Sequence, residues 1–143
     1  MEIKNCFYRV SVKALVLNET RDKFLVCKKE TGVWELPGGG LDWGATPQDD
    51  LIREIKEEMG VSVSFIADNP SYFITCQTLN RGLWVANVIY ETVMTSLSFT
   101  PSDECTEICF VDKNDIKEMK MFPAVIKLAE MFHSDRDIKQ NNP

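Results

Sequence analysis

LPGGGLDWGATPQDDLIREIKEEMGV, residues 36–61, joins a glycine-rich loop to a helix and decides how the rest of the chain is read. Thr46-Pro47-Gln48-Asp49 is a helix start: a hydroxyl to cap free N–H groups, proline at the first helical position, and an acid near the positive end of the dipole. Gly60 marks the stop. Leu51, Ile55 and Met59 recur every four residues as an apolar stripe. Glu54, Glu57 and Glu58 stand at i, i+3 and i+4 and share another face. Carboxylates this close repel unless a cation compensates, and hard oxygen donors suit Mg²⁺ or Mn²⁺. The run REIKEE by itself reads more readily as a solvated face, with Arg53 and Glu57 as an ordinary i,i+4 pair. The Gly38-Gly39-Gly40 run before it shifts the balance, because glycines let a phosphate or a metal approach the main chain.

Loop and helix together resemble the signature of the Nudix (MutT-like) hydrolase superfamily. That signature runs Gly, five residues, Glu, seven residues, Arg-Glu-aliphatic-any-Glu-Glu-any-Gly-aliphatic. Here Gly39 opens it, and Arg53-Glu54-Ile55-Lys56-Glu57-Glu58-Met59-Gly60-Val61 closes it at the same spacing. One fixed position departs: Ala45 stands where the family has its first Glu. Asp42 replaces a frequent, less strict Glu in the loop. Ala45 removes a carboxylate placed to hold the loop, orient Arg53 or support the metal shell, so it counts against full activity.

The resemblance implies an α/β fold with a mixed β-sheet between helices, an α/β/α sandwich. It implies catalytic Arg53, Glu54, Glu57 and Glu58, with Mg²⁺ (Mn²⁺ as substitute) held by the three glutamates and the Gly39 backbone. The substrate is then a nucleoside diphosphate linked to another moiety, cleaved at a phosphoanhydride by a water of lowered pKa. Gly38, Gly39 and Gly40, with Lys28 or Lys29 at a strand end, are the implied substrate contacts. The general base is Glu54 in some relatives and a later loop acid in others, for which Glu104 and Glu107 are the candidates. Arg53 is expected to orient a glutamate. Gln77 and Thr78 stand where the ADP-ribose and dinucleoside polyphosphate subfamilies carry a proline or a tyrosine, which favours an NTP-type or general nucleotide pyrophosphatase. The alternative is a catalytically attenuated module that binds a nucleotide or a partner, with Ala45 in its favour. Many relatives form a homodimer, although no surface stripe here announces one.

Composition agrees with an enzyme of this size. The 143 residues suit one domain, expected over residues 1–133, with a polar, frayed tail over 134–143. Sixteen basic and 22 acidic residues leave a formal charge of −6, which argues against polymeric nucleic acid as a partner. No run reaches transmembrane length and the first residues lack a signal-peptide pattern, so no membrane is expected. Five cysteines without a CxxC read as reduced thiols in a cytoplasmic protein. Cys105, Cys109 and His133 are a poor zinc set, since no paired spacing supports them.

Along the chain, residues 7–17 and 24–27 read as strands, the second antiparallel to the first. Residues 33–36 feed the glycine loop. Trp34 reads as core, and Trp43 as packing for the loop or a cover for a base. Residues 61–66, 72–78, 83–94 and 107–111 are further strands, with Leu79-Asn80-Arg81-Gly82 as a hairpin turn. Trp84 reads as structural. Asn114-Asp115 starts a helical turn. Residues 123–132 form an amphipathic helix with Val125, Ile126, Leu128, Ala129 and Phe132 inward.

Overall fold

A computed structural model describes residue 2 and residues 5–133. The tail expected over 134–143 lies outside the described residues. In chain order the elements are β1 (Arg9–Leu15), β2 (Phe24–Lys28), β3 (Trp34–Glu35), β4 (Gly38–Gly40), α1 (Pro47–Met59), β5 (Val63–Ile66), β6 (Tyr72–Gln77), β7 (Trp84–Met94) and β8 (Glu107–Val111). A 3₁₀ turn (Asp115–Glu118) and α2 (Pro123–Met131) complete the described chain.

The strands form two sheets. The first runs β4-β1-β7-β5, with β6 also on β7; the second runs β3-β2-β8. β1 and β7 are parallel, and the other pairs are antiparallel, so the first sheet is mixed. Eleven-residue β7 is long enough to take β6 along residues 84–89 and β5 along residues 92–94. Residues 24–27 meet the end of β1 in the expected antiparallel sense but do not pair along it. β4 and β7 occupy the two edges of β1, so β2 touches that strand only at its end, through the Leu17–Phe24 bridge and the Leu25 N–H to Val16 O bond. β2 then turns into the second sheet against β8.

Side-chain alternation divides the interior into two cores. Val12, Ala14, Leu25 and Tyr90 face α1, which buries Leu51, Ile55 and Met59 against them. Leu15, Phe24, Val26 and Ile89 face α2, which buries Val125, Leu128 and Ala129. These layers are the α/β/α sandwich. Ile126 is an exception to the inward set expected on α2: it is 43 % exposed. Buried Ala124, Val125, Leu128 and Ala129 define the inner stripe, and a step of about 100° per residue turns Ile126 off it.

The ends of α1 form as its sequence dictates. The Thr46 hydroxyl accepts the Asp49 N–H at 3.2 Å, and the Gly60 N–H caps Lys56 O at 2.9 Å. Trp34 is buried at the junction with Met121. Trp43 is fully exposed and packs on neither loop nor core, while half-exposed Trp84 meets Tyr8 edge-on. Among the described residues, no helix is long and apolar enough to cross a membrane. The five cysteines are free thiols, of which Cys27, Cys76 and Cys105 are buried.

Candidate active site

The site lies where β1 and β7 run past the edge of the α2-side core. On that face β1 carries Arg9, Ser11 and Lys13 before it reaches Leu15, and β7 carries Val85 and Asn87 before Ile89. These residues floor a cleft of about 410 Å³. Its walls are the glycines of β4, Glu35, Lys29, Glu54 of α1, and Glu104 from the loop before β8.

Three bare residues let the helix reach the cleft. β4 pairs with β1 through Ser11–Gly40, Val12–Gly39 and Lys13–Gly38. A Cβ on Gly39 would lie 2.5 Å from the Glu54 carboxylate carbon, so Glu54 occupies the space a side chain would fill. A Cβ on Gly38, at φ +131°, would lie 2.1 Å from the Val12 carbonyl oxygen. The two glycines are therefore needed for different reasons. Gly39→Ala is expected to push Glu54 aside and cut turnover by about 10²-fold, the scale of a 1 Å misplacement, with thermal stability nearly kept. Gly38→Ala meets rigid backbone in a left-handed conformation and is expected to lower stability by about 1–3 kcal/mol. Parallel melting curves and rate measurements on the two variants check this contrast.

The acids sort by depth. Oxygens of Glu54, Glu58 and Glu104 lie within 4.8 Å of one another. Glu58 is 4 % exposed and accepts the Gly38 N–H at 3.2 Å. Burial pushes its carboxyl up to about 8, with Glu104 and Glu35 adding to the rise against Lys13 and Lys29. Burial also raises Glu54, opposed by Arg53. Glu57 is exposed and lies outside the trio, held by Arg53 through two bonds of 3.1 Å. Arg53 also binds Asp50, Asp42 and Glu54, whose Oε1 lies 3.0 Å from Nη2. Among the described residues, its hydrogen bonds and ion pairs are thus all to carboxylates of the loop and helix.

The two lysines at the end of β2 part company. Lys29 lines the cleft and pairs with Glu35 at 3.0 Å. Lys28 points elsewhere, 5.8 Å from the centre of the Trp34 ring and 3.8 Å from Glu107. Of the loop acids, Glu104 lines the cleft, whereas Glu107 is an exposed strand end. Behind Lys29, buried Glu35 also receives the ammonium of buried Lys13. Burial alone would raise the Glu35 carboxyl, but Lys13 and Lys29 outweigh it and hold the group below the ordinary range.

Arg9, Lys13, Glu35 and Asn87 are site residues the sequence reading passed over. A signal for the first two was present: RVSVKAL alternates polar residues 9, 11 and 13 with apolar ones, yet those polar residues face inward. Asn87 is 1 % exposed; its amide donates to Ile74 O at 3.1 Å, and its Oδ1 is buried without a partner among the described residues.

The donor set fits a divalent cation. Three hard carboxylate oxygens converge where a Cβ is excluded, and their mutual repulsion, with the high pKa of Glu58, is what a bound cation would relieve. A fold of two helices around a mixed sheet, with acids behind a glycine strand and Arg9, Lys13 and Lys29 lining the same cleft, defines an α/β protein that brings carboxylates and cationic side chains together at one site. The NUDIX domain model matches residues 7–132, and the chain belongs to that family.

Relatives agree. An RNA pyrophosphohydrolase of Ruthia magnifica is 34 % identical over 68 residues, 46 % of this chain and 38 % of that protein. Nudix hydrolase 10 of Arabidopsis thaliana is 28 % identical over 104 residues, 73 % of this chain and 36 % of the relative. The matched stretch therefore spans well under half of either relative. Among solved structures, a MutT protein from Methanosarcina mazei Go1 aligns over 99 % of this chain and all of its own, with a TM-score of 0.72 and 20 % identity. The E. coli ORF135 protein aligns over 95 % of this chain and 94 % of its own, with a TM-score of 0.69 and 15 % identity. At these identities the structural likeness speaks for the fold.

Proposed function

We propose that this chain hydrolyses a phosphoanhydride bond in a nucleoside diphosphate linked to another moiety, with a resident Mg²⁺ that Mn²⁺ can replace. The observation that carries the reading is the convergence of Glu54, Glu58 and Glu104 beside a cleft that Arg9, Lys13 and Lys29 also line. Glu54, Glu58 and Glu104, with the Gly39 backbone, are the groups that would hold the ion. Glu57, also expected in the metal set, turns both oxygens to Arg53. When bound, a divalent cation supplies charge neutralisation at the diphosphate and a lower pKa for the attacking water.

The chain's own residues do the rest. Arg9 and Lys29 draw the phosphates into the cleft, and Lys13, tied to Glu35, contributes a fixed positive charge beneath them. Glu54 and Glu104 are the cleft-lining acids placed to take the proton of the water. Burial raises the Glu54 carboxyl, opposed by Arg53, and either acid is a candidate for the base. Arg53 positions Glu54 and stays out of the cleft.

A second cavity of about 610 Å³ shares Lys29, Glu35, Thr78 and Phe122 with the first. Val33, Leu79 and Leu83 make it more apolar, and Arg81 and Lys120 line it too. It suits a base or sugar attached to the phosphates. The preference for an NTP-type or general nucleotide pyrophosphatase rests on Gln77 and Thr78, which stand where the other two subfamilies carry their proline or tyrosine.

A second reading, a nucleotide-binding module of attenuated activity, is favoured by Ala45. One experiment decides between them: a panel of NTPs, nucleotide sugars, dinucleotides and a 5′-triphosphorylated RNA oligonucleotide, with Mg²⁺ or Mn²⁺ and products identified by mass spectrometry. Release of phosphate, pyrophosphate or a mononucleotide supports the hydrolase. Binding without turnover across the panel supports the module. Cleavage of the RNA alone would overturn the small-molecule assignment drawn from the net charge of −6.

A further inference from the structure

Asp50 is an acid on α1 that neither joins the glutamate trio nor lines the cleft, yet it is 3 % exposed. Burying a carboxylate is costly unless its oxygens are satisfied. Here Oδ1 accepts from Arg53 Nε at 3.0 Å and Nη2 at 2.6 Å, and Oδ2 accepts the Asp42 N–H at 2.9 Å. One side chain thus joins three parts: the end of the glycine loop, the helix, and the arginine that holds Glu54. The Asp42 N–H and Arg53 hold the Asp50 carboxyl below its ordinary range, so it is ionised throughout the neutral region.

Holding the loop and orienting Arg53 are tasks open to the signature's first glutamate. Residue 45 is alanine, and its N–H only closes a turn onto Asp42 O at 3.2 Å. Position 50 is unspecified in the signature. We propose that Asp50 supplies from within the helix the carboxylate that residue 45 lacks, pinning the loop at Asp42 and fixing Arg53, and through it Glu54. Asp50 is then a positioning residue, and Ala45 does not mark a loss of catalysis. The inference rests on the hydrolase reading above.

The test is a swap. Wild type, Asp50→Asn, Asp50→Ala, Ala45→Glu and the double variant Ala45→Glu/Asp50→Ala are compared in three readouts. These are Mn²⁺ affinity by electron paramagnetic resonance, kcat and KM on the substrate the panel identifies, and hydrogen exchange of the Arg53 Nε–H by NMR. Asp50→Asn keeps the shape and tests the charge if Asp50→Ala folds poorly. The expected result is a loss of about 10- to 100-fold in kcat or Mn²⁺ affinity for both single Asp50 variants. KM should stay within about two-fold, since Asp50 does not touch the cleft. The double variant should regain at least about ten-fold over Asp50→Ala, although Ala45→Glu alone gains nothing, because the two carboxylates serve one partner. Protection of the Arg53 Nε–H should be lost in Asp50→Ala and restored in the double variant. The proposal is overturned if Asp50→Asn matches wild type in all three readouts, or if a folded double variant is no better than Asp50→Ala. If wild type neither binds Mn²⁺ nor turns over any substrate, the hydrolase reading fails. The Arg53 signal then still decides whether Asp50 positions that side chain.

Discussion

Glu58→Gln is expected to cut cation-dependent turnover by about 10²–10³-fold and, in the same protein without cation, to raise stability at alkaline pH. The two effects have one cause. Glu58 is buried beneath the glycine strand, and its carboxyl is pushed up to about 8. In the unfolded chain it titrates at about 4.3. Between those values the native state holds a proton that the unfolded state has released, so native stability falls as pH rises through that window. The full cost, on the order of a few kcal/mol, is reached once the carboxyl ionises above about pH 8. Glutamine does not ionise and escapes it. With chelator present, the melting temperature of Glu58→Gln should exceed that of wild type by a margin that widens from pH 5 to pH 9. Saturating Mg²⁺ should shrink or reverse the margin, because the cation binds only the ionised carboxylate. Parallel pH profiles of the two proteins would sink this account of Glu58.

Glu35→Leu carries the second large effect. Glu35 is the buried counter-charge of Lys13, and Lys29 meets its other oxygen. Removing it strands an ammonium that is 5 % exposed, and breaking a buried pair in this way costs about 3–5 kcal/mol. Replacing both members, Lys13→Met with Glu35→Leu, should recover most of that loss, as apolar substitutes for buried ion pairs commonly do. It should not recover affinity for a phosphate-bearing substrate, since Lys13 lines the cleft. Urea titration reads the first quantity and KM the second. If the double variant regained both, the pair would be a packing device with no part in the site.

The loop and helix of residues 36–61 were legible because their signals are local. A cap, a stripe of period four, a glycine stop and the acid spacing all fall within one element and its entry. The hairpin around Gly82 was legible for the same reason. What escaped the sequence reading depends on contacts between distant segments. β2 leaves β1 for the second sheet because β4 and β7 take the two edges of β1, which no local signal announces. Glu104 was one candidate base among several until the loop before β8 was seen to bring it beside Glu54 and Glu58. Glu35 looked like any residue of a short strand, and only the inward turn of Lys13 gives it a role. Asp50 reads in sequence as an N-terminal helix acid favoured by the dipole. Its burial against Arg53 and the loop is a tertiary fact.

Glu54, Glu58 and Glu104 are proposed to hold a divalent cation at the glycine strand. The most direct measurement is anomalous diffraction from a crystal soaked in Mn²⁺. A manganese peak bonded to oxygens of Glu58 and Glu54, next to the Gly39 backbone, is the predicted result. A fully soaked crystal with no peak there, or with manganese bound only at surface acids away from the cleft, would contradict it.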